Sequence, residues 1–218
     1  MPEDFLARAV EFLPVLLKGV LVTVQVTVGA LLLSIVLGLM WALMGRSRLR
    51  PLRVVSRVVI NVVRGVPIIV QLFYVYFVLP ELGLSLDAMA AGIVGLGLAY
   101  SVYQAENFRA GFDSVDPALI EAAQSLGLSE RKILQRLMMP LALRTALPPF
   151  GNTSIMLLKD SSIASTITVA ELTRAGQLLA ISTFQNMTVY TLIALLYLAI
   201  SLPLTLAVHQ LERRMARR

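Results

Sequence analysis

Four charged side chains sit in stretches of this sequence that are otherwise almost wholly apolar: Arg64, Glu106, Lys159 and Asp160. A charge held in hydrocarbon costs several kcal/mol, so such residues face a cavity or a partner. With two cations and two anions, two readings stand. The four can line a polar pathway, or they can pair with one another and hold helices together. The amides of Gln71 and Asn152 lie in the same stretches. Pro148-Pro149 and Gly151 predict a helix break beside Asn152 that would expose backbone polar groups. Bond-breaking chemistry finds no candidates. There is no Cys, which removes thiolate ligands and nucleophiles, and the one histidine, His209, excludes a multi-histidine metal site. A phosphate loop of the form Gly-x-x-x-x-Gly-Lys-Ser/Thr is also missing, so the chain cannot hydrolyse ATP itself.

The elements that must position these residues are long and apolar. Hydrophobic residues make up 57% of the 218 and charged residues 15%. Soluble domains carry about 25% charged residues. The net charge of +6 sits between apolar runs, which points to a membrane surface rather than nucleic acid. A bilayer core of about 30 Å needs roughly 20 apolar residues in helix. Candidate spans run over about 16–44, 54–79, 89–105 and 187–208, with a weaker one over 145–165 that carries Pro148, Pro149, Asn152, Lys159 and Asp160. The third is rich in small residues (Ala90, Ala91, Gly92, Gly95, Gly97, Ala99), which let helix backbones approach closely in lipid.

Charge asymmetry orders the spans. Arg46, Arg48, Arg50, Arg53 and Arg57 follow the first. Arg109, Arg131, Lys132, Arg136 and Arg144 lie between the third and the weak one, and Arg213, Arg214, Arg217 and Arg218 form the tail. The loop 80–87 holds Glu81 and Asp87 and no base, and the first residues hold Glu3, Asp4 and Glu11 against Arg8. The positive-inside rule then puts the N-terminus outside and the C-terminus inside. An odd number of crossings follows, so the weak segment must span, and five helices result.

The cytoplasmic stretch of about 113–140 is patterned. Asp116-Pro117 predicts an N-cap with proline at the first helical position. Leu119, Ala122, Ala123 and Leu126 form one apolar stripe, and Gly127 stops the helix. Ser129 can cap a second helix with Ile133, Leu134, Leu137 and Met138 on one face, ended or bent by Pro140. Helices this short need a partner. They lie on lipid, cap the chain's own bundle, or form a docking surface for a soluble protein.

Glu121-Ala122-Ala123, Gly127 and Met139-Pro140 resemble the EAA loop of binding-protein-dependent ABC importer permeases. Val63-Arg64-Gly65-Val66-Pro67 with Gln71-Leu72, then Ala105-Glu106 with Arg109, are similar to motifs of the polar amino acid permeases. So are Ala142-Leu143-Arg144, Leu147-Pro148-Pro149 with Gly151-Asn152, Leu157-Leu158-Lys159-Asp160-Ser161-Ser162 and Glu171-Leu172-Thr173. The resemblance covers nearly the whole chain in order. It implies an all-α, five-span type I importer permease in a single domain, 1–218, of a bacterial inner membrane. It also implies a second permease subunit, identical or homologous, two ABC ATPase subunits that use ATP and Mg²⁺, and an external binding protein delivering an amino acid. No cofactor is expected in this chain and no enzymatic activity of its own. Glu121, Ala122, Ala123, Gly127, Arg131 and Pro140 are the expected ATPase-docking residues. For an amino acid, Glu106 and Asp160 offer carboxylates to the ammonium, while Arg64, Lys159, Gln71 and Asn152 offer donors to the carboxylate. An ion-coupled carrier or channel is the alternative class, and it would leave the double-helix loop without a task.

Outside, Thr168-x-x-Glu171 reads as a capping box that starts an amphipathic helix with Leu172, Ala175, Leu178 and Leu179. Residues 1–14 read as a short external lead-in, and Tyr74, Tyr76, Tyr100 and Tyr103 as packing and interface anchors.

Overall fold

The computed structural model describes residues 2–216, with side chains from 5 to 214. Met1, Arg217 and Arg218, two of them counted in the basic tail, lie outside it. The described residues form nine helices. They are α1 (Pro2–Arg46), α2 (Arg50–Gly65), α3 (Ile68–Phe73), α4 (Ala88–Asp113), α5 (Pro117–Ser125), α6 (Glu130–Ile133), α7 (Met139–Asp160), α8 (Leu172–Thr183) and α9 (Asn186–Ala216). A π-helical turn at Tyr74–Val78 and a 3-10 turn at Leu79–Leu82 extend α3. A second π-turn, Leu134–Met138, joins α6 to α7, and a 3-10 turn at Ser161–Ile167 follows α7.

Helix α4 is the axis of the bundle, and α1 runs parallel to it. Along α1 the buried positions Leu16, Gly19, Thr23, Val26, Ala30, Ser34, Gly38 and Ala42 recur every three or four residues, the spacing of one helical face. Small residues let the backbones meet. A Cβ on Gly38 would lie 2.6 Å from Gln104 Cβ, and one on Gly97 would lie 2.7 Å from Leu33 Cδ2. Lipid is as apolar as leucine, so close van der Waals packing carries the association that water would otherwise drive.

Three of the expected spans fall inside α1, α4 and α9, each long and apolar enough to cross a membrane. The expected second span, 54–79, is not one rod. It bends by 105° between α2 and α3 at Gly65-Val66-Pro67. Val66 precedes proline and is extended (φ −106°, ψ 131°), as the clash with the pyrrolidine ring requires. Helix α2 therefore lies across the bundle rather than along it. Its Ser56 donates to Trp41 O, and Arg64 reaches Glu106. At about 1.5 Å per residue, both partners lie within about 10 Å of the helix ends at Arg46 and Asp113.

Four other expectations change. Residues 5–14 are not a separate lead-in but part of α1, with Pro14 inside the helix. Pro140 does not end the second loop helix. The π-turn below it, where Met139 N–H reaches Leu134 O, gives the proline ring the room it needs. Pro148 and Pro149 do not break α7. Contacts on either side clamp that turn: Gly111 against the Ala142 carbonyl, and Asn107 Nδ2 donating to Thr153 Oγ1 at 3.0 Å. The helix changes character at Ser161 instead, and Thr168, left-handed at φ 68°, closes the 3-10 turn. The capping box is absent because Glu171 is itself the N-cap of α8.

Candidate functional site

The segment between α4 and α7 follows its local signals. Asp116 accepts from Ala118 N at 2.8 Å with Pro117 in the first turn. At the other end Gly127 takes φ 72°, Leu128 N donates to Ala123 O, and Gly127 N donates to Gln124 O. That is a Schellman closure, and it depends on glycine's access to the left-handed region. Ser129 holds the N-cap position of α6 with no side-chain cap bond.

The expected stripe on α5 is divided. Ala123 is buried and Ile120 half-buried, packed with Ile133 and Met138 onto Phe108, Phe112 and Ala142. Leu119, Ala122 and Leu126 face outward, and Leu126 is 81% exposed. Glu121, Arg131 and Pro140 are exposed as well. All the docking candidates except Ala123 are thus exposed, and Ala123 is packed into the core beside them. Arg48 pairs with Glu130 and ties the turn after α1 to α6.

A chain of ion pairs crosses the same end of the bundle. Arg64 Nη2 lies 3.4 Å from Glu106 Oε1, and Arg109 Nε donates to Glu106 Oε2 at 2.9 Å. Arg109 approaches Asp113 at 3.8 Å, and Arg46 Nη1 donates to Asp113 Oδ1 at 2.6 Å. Arg64 and Glu106 therefore join α2 to α4. Gln71 is also engaged in structure: its Nε2 donates to Val63 O and to Val66 O, each at 2.8 Å.

The remaining pathway candidates are apart from these. Asp160 is half-buried and accepts from Tyr100 OH at 2.6 Å. Lys159, its neighbour in sequence, points to the exposed face of α7, which it shares with Asn152 and Met156. Among the described residues Lys159 and Asp160 form no ion pair. Tyr100, read as a packing and interface anchor, is buried and is also an acid's partner.

Sequence reasoning also missed a buried carboxylate cluster at the opposite end. Glu171 is fully buried between α1, α8 and α9. Its oxygens accept from Arg174 N at 2.8 Å, Thr173 N at 2.9 Å and Tyr197 OH at 2.8 Å, with Thr23 Oγ1 at 3.5 Å. Thr23 also accepts from Leu172 N at 3.1 Å. Each donor offsets the cost of burying the acid. The available signal was Thr23, a polar residue in the middle of an apolar run.

Residues 34–217 match the sequence model of the family described as the binding-protein-dependent transport system inner membrane component. The chain is 35% identical to the L-cystine transport system permease protein TcyB of Bacillus subtilis (strain 168), over 100% of this chain and 92% of that protein. It is 36% identical to the glutamine transport system permease protein GlnP of Escherichia coli (strain K12), over 93% and 94%. Its structure superposes on a chain from the crystal structure of an amino acid ABC transporter with histidines at a TM-score of 0.89. That match covers 97% of this chain and 98% of the other at 35% identity. A chain of the inward-facing MetNI methionine ABC transporter shares the fold at a TM-score of 0.77 and 20% identity. Such permeases are membrane transport components that work with ATPase partners and a second permease. The chain belongs to the family of binding-protein-dependent transport system inner membrane components, as a permease subunit of an ABC importer.

Proposed function

We propose that this subunit moves a polar or charged amino acid inward by alternating access, driven by two ATPase subunits that grip the outward surface of α5 and α6. The amino acid class is drawn from the relatives named for L-cystine and glutamine. An external binding protein supplies the substrate, and ATP with Mg²⁺ is used by the ATPases alone. The chain crosses the bacterial inner membrane five times, from an outside N-terminus to an inside C-terminus. Glu121, Ala122, Ala123, Gly127, Arg131 and Pro140 make the docking surface. Asp160, Lys159 and Asn152 serve the substrate pathway on the face of α7, while Arg64, Glu106 and Gln71 border it as positioning residues.

One observation carries the docking assignment: α5 has two faces with different fates. Ile120 and Ala123 are packed in the core around Phe108 and Phe112, while Leu119, Ala122, Leu126 and Glu121 are exposed. A surface fixed on one side and open on the other passes a push into α4 and α7 without absorbing it. Alternating access needs a ligand or motor that distinguishes two states.

The test uses the whole complex in proteoliposomes. Glu121→Trp and Gly127→Val should each abolish ATP-driven uptake while substrate binding to the resting complex persists. Normal uptake by both variants would overturn the docking assignment. Uptake by the permease alone down an ion gradient would favour the carrier.

A further inference from the structure

Helix α2 has three faces. On a helical projection Ser56, Val59, Ile60 and Val63 turn to the bundle, and all four are buried or half-buried. Val55, Val58 and Val62 form an exposed apolar face. Arg50, Arg53, Arg57 and Arg64, with Asn61, fall in one narrow sector between them. The helix contains no acidic residue. An amphipathic helix lying across a bundle, apolar on one side and basic on another, has the form of an interfacial element.

The charge count at this end is one-sided. Glu106 and Asp113 are the carboxylates beside α2, and Arg46, Arg64 and Arg109 occupy them. Arg50, Arg53 and Arg57 have no carboxylate partner among the described residues. A cavity of about 270 Å³ opens between α2 and the ends of α1 and α4. Its polar lining is Arg53, Ser56, Arg57, Asn61 and Arg109, with Glu106 already held by two arginines. Planar guanidinium groups bind phosphate oxygens through paired N–H donors, and clustered bases beside a membrane segment attract anionic lipid.

We propose that the basic face of α2 is a binding site for an anionic phospholipid of the cytoplasmic leaflet. The headgroup phosphate lies between Arg53 and Arg57 in the cavity, and the acyl chains run along Val55, Val58 and Val62. Because α2 also carries Arg64, the bound lipid braces the ion pair between Arg64 and Glu106. The site depends on membrane embedding and on α2 facing inward, but not on the substrate or ATPase assignments, so its test can fail without them.

The test uses the assembled complex in vesicles of phosphatidylcholine with one quarter phosphatidylglycerol, including a trace of photoreactive phosphatidylglycerol. Illumination should label peptides covering residues 50–64, and an equimolar photoreactive phosphatidylcholine should label them several-fold less. In detergent, native mass spectrometry should show retained phosphatidylglycerol falling at least threefold in the Arg53→Gln, Arg57→Gln double variant. The Arg213→Gln, Arg214→Gln control should retain it as the unchanged protein does. Equal labelling by the two lipids would overturn the proposal. So would undiminished retention in the double variant, or absence of label on 50–64 because a second permease covers α2.

Discussion

Gln71 holds Val63 across the 105° bend between α2 and α3. Its amide nitrogen lies 2.8 Å from the Val63 carbonyl, eight residues back, and equally close to that of Val66. The last carbonyls of a helix have no partner within it. Here one side chain satisfies the Val63 carbonyl at the end of α2 and the Val66 carbonyl in the bend, tying α3 to α2. Replacing it by leucine strands both acceptors, at a cost of about 1–3 kcal/mol. Gln71→Leu should therefore lower the Tm of the reconstituted complex by several degrees. An unchanged Tm would mean that Val66-Pro67 sets the bend unaided.

Gly111 should tolerate no side chain. A Cβ there would collide with the Ala142 carbonyl, a backbone atom that cannot swing away. Overpacking of this kind costs about 1–3 kcal/mol. Gly65, by contrast, has nothing within 4 Å of its would-be Cβ. Gly111→Ala should reduce the yield and Tm of the purified protein, and Gly65→Ala should leave both unchanged or slightly raised.

Ala122 and Ala123 are neighbours with opposite exposure. Ala123→Trp forces a large ring into the core around Phe112 and should lower Tm. Ala122→Trp places the ring on the open surface, so Tm should hold while ATP-driven uptake is lost. If both variants changed Tm alike, the two-faced reading of α5 would be wrong.

The Glu171 cluster should matter for stability more than for transport selectivity. Tyr197→Phe removes one donor from a buried carboxylate and should cost about 1–2 kcal/mol. Glu171→Ala removes the N-cap of α8 and leaves Tyr197 OH and Thr23 Oγ1 without that acceptor, so it should cost more. Thermal unfolding in detergent checks the order.

Asp160→Asn should weaken uptake of a cationic amino acid more than that of a neutral one. Asparagine still accepts from Tyr100 OH, so the variant removes charge while preserving the contact. Equal losses for both substrates would make Asp160 a structural residue tied to Tyr100.

The helices that obey local rules were readable from sequence. Asp116, Pro117 and Gly127 each act within a few residues of themselves, Asp116 through its side chain and the other two through their backbone, and the structure has them where cap and turn chemistry put them. What sequence could not supply depends on neighbours distant along the chain. Pro148 and Pro149 stay within a helix that is packed on α4 before and after them, by Gly111 against Ala142 and by Asn107 bonded to Thr153. Glu171 is a cap rather than the far end of a capping box because Thr23 and Tyr197, 148 and 26 residues away, close around it. Hydropathy registers the apolar content of 54–79 but not the elbow inside it, since Pro67 acts on the backbone and leaves the average almost untouched.

The path from Glu130 to Asp160 is helical throughout, its only irregularity the wide turn beneath Pro140. Thirty-one residues make a shaft about 46 Å long. Tilting it by about 10° around its Glu130 end would carry the other end, where Asp160 meets Tyr100, through about 8 Å. Leverage of that size needs no elaborate relay: in one stiff spoke, a small tilt at one end becomes a large displacement at the other.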